Sequence, residues 1–237
     1  MNRAKESNIA EEYRHKTAKV FDRLGEHLEI QFKSIEEPND YYKSLMGLNY
    51  MIQQNIYHIL SDFNMKYRVY QTAASVRLVL ECVADAAYLQ RNATESKEYY
   101  NAQQKIQIDL KAADTHAEKW KVFKTGDINK YGSLKDQRTY SRIKDAYGND
   151  GLGAYNFLCF YTHPNIAGAF WLKADEEAGL INLYLIEILN EAILKWLTIL
   201  TECMLPDFDG PKWASELAEI YAGTLGQVER KSKTRGS

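Results

Sequence analysis

Three polar residues, Arg77, Glu81 and His163, have the side chains and the surroundings that could carry chemistry. Arg77 and Glu81 stand four positions apart among apolar and small residues, and this spacing places both on one face of a helix, with Asp85 one turn further on. A charged pair in a protected cleft can be tuned for binding or catalysis. Two alternatives stay open: the stripe is the solvent-exposed edge of a core helix, or the pair is a structural ion pair.

His163 is the second feature, and it directly precedes Pro164. Because the residue before a proline is disfavoured in a helix, the apolar and aromatic helix that leads to His163 should end there. The imidazole would then lie at the end of a rigid element. Histidine moves protons near neutral pH, which suits a general acid or base. The alternative is a histidine that caps the helix or is hydrogen-bonded in the core.

Several other kinds of site are excluded by motifs that the sequence lacks. A di-iron bundle needs a second Glu-x-x-His motif beside that of Glu12 and His15, and the sequence has none. It also lacks a glycine-rich phosphate loop, the cysteine and histidine spacing that is typical of zinc sites, and a nucleophile elbow. We therefore expect neither a metal ion nor a cofactor.

The stretch from 119 to 144 is strongly basic in a chain whose net charge is −2. This stretch contains eight basic residues and two aspartates, and aromatic residues lie between them in the sequence. Basic side chains with aromatic rings between them favour phosphate contact with base stacking; the alternative is a solvated loop and helix face. The candidate RNA-binding residues are Lys119, Lys121, Lys124, Lys130, Lys135, Arg138, Arg142 and Lys144.

The elements that must position these residues are helices, because apolar residues recur with helical spacing nearly throughout and the chain has only four prolines. We predict an all-α fold, a single bundle of about seven to eight helices with a long N-terminal helix. The helix at 67–90 is apolar on most of its surface and should lie at the centre. A flexible turn is expected at Gly148, Gly151 and Gly153, followed by a helix at 154–161 that packs beside the central one.

Three segments are predicted: an N-terminal helical arm at 1–38, a helical core domain at 39–205, and a C-terminal helix with a frayed tail at 206–237. The arm carries a narrow apolar seam that is close to a coiled-coil pattern. The seam either packs on its own domain or pairs with a second copy. On the second alternative we predict a homodimer.

The sequence also predicts the compartment. The charged N-terminus has no apolar signal core. The three cysteines have no paired spacing and are expected to be reduced. The most apolar stretch, 178–205, is interrupted by charged residues about every turn or two, which a membrane span would not tolerate. We therefore predict a cytoplasmic protein with no membrane association.

Three short motifs resemble a known family. Arg77 to Glu81, Gly132 to Asp136 and Tyr155 to Pro164 are similar to a bacterial all-helical domain-of-unknown-function family with Arg-x-x-x-Glu and His-Pro motifs, over about residues 40 to 205. That family's architecture resembles the HEPN superfamily (higher-eukaryote and prokaryote nucleotide-binding domains), many of whose members are ribonucleases of toxin and phage-defence systems. The resemblance implies a HEPN-like bundle that acts on RNA.

One departure from the HEPN pattern bears on the site. HEPN ribonucleases carry an arginine a few residues before the catalytic histidine, whereas 156–162 contains none. The domain-of-unknown-function family also has a Ser-x-x-x-His-like segment, and Cys159 stands at its serine position here. Arg77, on another helix, would then supply the cation. The leading hypothesis is a HEPN-like protein that binds or cleaves RNA or a nucleotide. In it His163 is the general acid or base, Arg77 stabilises the phosphate charge and Glu81 orients Arg77.

The alternative hypothesis is a non-catalytic protein–protein interaction module, either a defence-system partner or a phage inhibitor. In this case the Arg77–Glu81 pair is structural, and the basic stretch at 119–144 docks an acidic protein partner. The two hypotheses differ in what Arg77 does: in the first it contacts a phosphate, and in the second it is part of a structural ion pair with Glu81.

Overall fold

The structure is a computed structural model of the 237-residue chain, and it describes residues 3–62, 69–115, 117–118, 139–162, 175–203, 205 and 208–233. Within these ranges the regular structure is entirely helical, with no strand, which confirms the predicted all-α class. Among the helices described, none combines the length and the apolar character needed to cross a membrane. The helices are α1 (Arg3–Lys33), α2 (Asp40–Asp62), α3 (Val69–Arg91), a 3-10 turn (Ala93–Glu95), α4 (Ser96–Ala112), α5 (Thr139–Thr162), α6 (Asp175–Glu202) and α7 (Gly210–Lys233).

The central helix of the bundle is α3, as its nearly continuous apolar surface predicts. It packs against α2, α5 and α6. Val76, Val79, Leu80 and Val83 are almost completely buried, and alanines on the same helix let the neighbouring helices approach closely. The strip that carries Arg77, Glu81 and Asp85 is the part of α3 that lies beside α5, so the polar residues are placed at the junction of these two helices.

The apolar seam of α1 packs within its own chain. Tyr13, Val20, Leu24 and Leu28 are each at most 2% exposed, because α1 packs against α2 and α7. An ion pair between Arg23 and Glu216 joins α1 to α7 at the surface. The structure thus shows the first of the two alternatives for this seam, and the homodimer stays a prediction.

The start of α2 follows the local signal at Pro38, Asn39 and Asp40. Oδ1 of Asn39 accepts a hydrogen bond from the backbone N–H of Tyr42 at 3.0 Å. This bond satisfies one of the N–H groups that the first turn of a helix leaves without a partner. A proline that stops one helix, followed by a residue that caps the next, is what the local sequence predicts at this point.

The flexible turn predicted at Gly148, Gly151 and Gly153 is instead a kink inside α5, so this prediction was wrong. Gly148 alone leaves the helical conformation, with φ 73° and ψ −162°, a region that favours glycine. Gly151 has a helical conformation, but this position requires a glycine, because a Cβ there would lie 2.0 Å from the Cβ of Tyr147. The positive φ of Gly148 bends the chain without ending the helix, so the segment predicted as a separate helix at 154–161 is part of α5.

Candidate functional site

Arg77 and Glu81 form an ion pair at the junction of α3 and α5. Nε of Arg77 lies 2.9 Å from Oε1 of Glu81, and the two side chains are 27% and 24% exposed. The pair is thus neither fully solvated nor fully buried. Partial burial opposes the charged form, but the hydrogen bond and charge of Glu81 outweigh it and raise the pKa of Arg77 above its ordinary value. The guanidinium therefore stays charged.

Two residues of α5 complete the surroundings of Arg77. Its Nη1 donates to Oγ1 of Thr162 at 3.0 Å, and its guanidinium carbon lies 5.5 Å from the centre of the Tyr155 ring, a cation–π distance. The hydroxyl of Tyr155 in turn donates to Oε1 of Glu81 at 3.0 Å. Because that oxygen holds Arg77 as well, the guanidinium is oriented by Glu81, Thr162 and Tyr155 together.

The state of Tyr155 suits this supporting role. Burial, followed by the nearby charge of Glu81, raises the pKa of Tyr155 well above its ordinary value. Its hydroxyl therefore keeps its proton and donates a hydrogen bond to the carboxylate. Since the phenol stays neutral, the carboxylate that opposes the positive charge of Arg77 within the described part of the chain is that of Glu81.

Arg77 has hydrogen-bonding capacity left over. A guanidinium offers five N–H donors, and within the described residues Arg77 directs one to Glu81 and one to Thr162. The other donors can bond to solvent or to a ligand. A planar, fixed arrangement of such donors matches the oxygens of a phosphate or carboxylate. The site therefore presents the Arg77 guanidinium in an orientation that its neighbours fix.

Asp85 belongs to a second ion pair, one turn further along α3. Its Oδ1 lies 2.6 Å from Nε of Arg142 on α5, and the two side chains are 13% and 5% exposed. Tyr99 of α4 donates to Oδ2 of Asp85 at 3.4 Å. Burial raises the pKa of Asp85 to about 6, although Arg142 acts in the opposite direction. This buried cluster joins α3, α4 and α5.

The predicted RNA-binding residues are only partly placed by the structure. Arg142 lies buried against Asp85 and does not have the exposed position that a phosphate contact requires, whereas Lys144 is exposed. His163 directly follows Thr162 in the chain and lies outside the described residues. The same holds for the remaining basic residues, Lys119, Lys121, Lys124, Lys130, Lys135 and Arg138.

Sequence reasoning singled out neither Tyr155 nor Thr162. A signal for them did exist, because a spacing of seven residues places both on one face of a helix. Two polar tips on the same face of an otherwise apolar helix point to a polar partner on its neighbour. The identity of that partner, Arg77 with Glu81, depends on how α3 and α5 pack and is not encoded locally.

Neither a protein-family model nor a curated protein nor a solved structure matches this chain. Within the described residues, no cluster of histidine, cysteine, aspartate or glutamate side chains is arranged to hold a metal ion. The resemblance to HEPN-like proteins therefore remains a hypothesis that depends on short sequence motifs. What can be said about function comes from the geometry around Arg77.

Proposed function

We propose that this protein binds RNA or a nucleotide through a phosphate group held by Arg77. The observation that supports the proposal is a partly exposed guanidinium that Glu81, Thr162 and Tyr155 hold in one orientation while some of its N–H groups are still unused. A cation that is already oriented loses less conformational entropy when an anion binds. Arginine also matches phosphate geometry better than lysine does.

The same proposal has a catalytic form. His163 removes the proton from a ribose 2′-hydroxyl, and the resulting oxygen attacks the neighbouring phosphorus. Arg77 stabilises the negative charge that develops on the phosphate. The bond to the 5′ oxygen breaks, which leaves a 2′,3′-cyclic phosphate; solvent water protonates the departing 5′ oxygen, and His163 returns its proton to solvent. Glu81 is a positioning residue, because it touches Arg77 rather than the substrate. Support comes from the order of the chain: His163 follows Thr162, whose hydroxyl accepts a hydrogen bond from Arg77.

RNA binding is tested by fluorescence anisotropy with a labelled single-stranded RNA at several salt concentrations. Wild-type affinity should fall steeply as salt rises, and Arg77→Gln should weaken binding by about ten-fold or more. Arg91→Gln is the matched control, because Arg91 is an exposed arginine on the same helix. Equal affinity in Arg77→Gln and wild type would refute the proposed phosphate site.

Cleavage is tested separately, with the same RNA and a metal chelator present. His163→Ala should abolish cleavage and leave the melting temperature near that of wild type. Undiminished cleavage by His163→Ala would remove the catalytic form, and RNA binding through Arg77 would still stand on the anisotropy result.

A second candidate function, that of a protein–protein interaction module, is favoured by exposed aromatic residues. Phe160 on α5 and Tyr184 on α6 are 40% and 58% exposed, and Phe157 packs against Tyr184 with ring centres 5.4 Å apart. Aromatic residues are enriched in protein interfaces. Absence of RNA binding even at low salt would favour this function. Tyr184→Ser should then reduce the affinity for the protein partner while Arg77→Gln leaves it unchanged.

A further inference from the structure

The two halves of α5 are separate helical segments. Gly148, with φ 73° and ψ −162°, interrupts the helix between residues 139–147 and 149–162. Such a break removes the continuous backbone hydrogen bonding that would make a helix open and close as one unit. Each half must therefore be held against α3 by its own contacts.

The first half has fewer buried residues than the second. Arg142 and Ile143 are buried, and Ala146 and Tyr147 are partly buried against the core. Among the described residues, its polar link to α3 is the Arg142–Asp85 pair at 2.6 Å. At its end the hydroxyl of Tyr147 is buried and has no hydrogen-bond partner among the described residues. A helix shorter than about 12 residues is not stable by itself in water. This half therefore keeps its structure only while it is docked.

The second half is anchored more firmly. Leu152, Tyr155, Leu158 and Tyr161 are all at most 9% exposed. Tyr155 is also bonded to Glu81, and Thr162 accepts a hydrogen bond from Arg77, so this half is tied to α3 by polar contacts as well. Removing any one of these contacts leaves several others in place.

We propose that residues 139–147 form a separately opening segment, hinged at Gly148 and latched to α3 by the buried Asp85–Arg142 ion pair, while the second half of α5 stays docked. Opening returns both charged groups to water and lets the Tyr147 hydroxyl find a partner, which offsets part of the lost burial. Tyr99, on α4, keeps its bond to Asp85 when Arg142 leaves, because Asp85 remains on α3. The opening uncovers the face of α3 next to Glu81. This inference does not depend on RNA binding.

The test is native-state hydrogen exchange of the full chain, read by mass spectrometry of peptides from each half of α5. In the wild-type protein, amides of the first half should exchange at least about ten-fold faster than those of 155–161, with a weaker dependence on added urea, as expected for a local opening. Asp85→Asn should accelerate exchange in the first half by a further ten-fold or so and leave the second half nearly unchanged. Glu81→Gln is the control and should not accelerate the first half.

Two results would overturn the proposal. Equal exchange rates and equal urea dependence in both halves of the wild-type α5 would show that the helix opens as one body, without a hinge. An unchanged first half in Asp85→Asn would show that the ion pair is not the latch. The wild-type measurement needs no substitution, so the hinge is tested even if Asp85→Asn does not fold.

Discussion

The hydroxyl of Tyr155 on α5 donates to Oε1 of Glu81 on α3 across 3.0 Å. The same carboxylate oxygen lies 2.9 Å from Nε of Arg77. The orientation of Arg77 therefore depends on a helix other than its own. A change in the packing of α5 would therefore alter the orientation of the guanidinium through Oε1 of Glu81, even if no residue of α3 were substituted.

Tyr155→Phe should lower the free energy of unfolding by about 1 kcal/mol, the usual contribution of one intramolecular hydrogen bond. The ring is retained, so the loss reports the bond to Glu81 rather than packing. Tyr140→Phe is the control on the same helix, because Tyr140 is 48% exposed. Urea denaturation of both variants measures the difference, and equal stability of the two would contradict the prediction.

The two ion pairs of α3 should differ in their contribution to stability. Asp85→Ala takes the carboxylate away from a guanidinium that is 5% exposed and that also bonds to Thr139, so the loss should be about 3 kcal/mol, the lower end of the range for a broken buried pair. Glu81→Ala leaves Arg77 partly exposed to water and also removes the acceptor of the Tyr155 hydroxyl, so the loss should be about 2 kcal/mol. Thermal and urea denaturation of both variants decide the order. A larger loss in Glu81→Ala would mean that the Arg77 site, rather than the Asp85 cluster, holds α5 in place.

The buried Asp85 should make stability depend on pH. Its pKa is raised to about 6 in the folded protein, chiefly by burial, so the folded chain binds this proton more tightly than the unfolded chain does. The contribution of this group is therefore fully present below about pH 4, the ordinary range of an aspartate, and is lost as the pH rises through about 6. We expect the free energy of unfolding of the wild type, relative to that of Asp85→Asn, to be larger at about pH 4.5 than at about pH 7.5. A difference that does not change with pH would show that Arg142 cancels the effect of burial.

Gly148→Ala and Gly153→Ala should have opposite effects on stability. A Cβ at either position has open space around it, so neither substitution creates a clash. At Gly148, φ 73° with ψ −162° is a conformation that only glycine adopts readily, so alanine should cost about 1–3 kcal/mol there. At Gly153, in a helical conformation, alanine should add about 1 kcal/mol of stability. Melting temperatures of the two variants give the comparison, and a stabilising Gly148→Ala would mean that the kink is absent.

Tyr147→Phe should raise the free energy of unfolding, by about 1 kcal/mol. The hydroxyl of Tyr147 is buried without a hydrogen-bond partner among the described residues, and removing such a group removes its desolvation cost. Tyr99→Phe is the matched control, because it removes a buried hydroxyl that is bonded to Asp85, and it should be destabilising. If both variants lose stability, a bound water satisfies Tyr147.

Local features of the chain were predictable because short-range physics determines them. The cap at Asn39, the central position of α3 and the pairing of Arg77 with Glu81 each follow from residues within one or two helical turns. The kink at Gly148 was harder to predict, because several glycines close together are typical of a loop and also of a close helix contact. In α5, Gly151 is required by a close contact, that with the side chain of Tyr147.

Contacts between distant parts of the chain were not predictable. Asp85 and Arg142 are 57 positions apart. An acidic residue among alanines requires a buried cation, but the sequence offers many, and only the packing of α5 on α3 selects Arg142. Reading Arg142 as part of a basic surface followed from counting charges along the chain, which does not distinguish an exposed guanidinium from a paired one.

The packing of α1 against α7 has a consequence for how the protein is made. Arg23 and Glu216 lie 193 positions apart, so α1 leaves the ribosome long before the helix that covers it. During that interval α1 lacks its packing against α7, and a nascent chain with apolar surface exposed is prone to aggregate or to be held by chaperones.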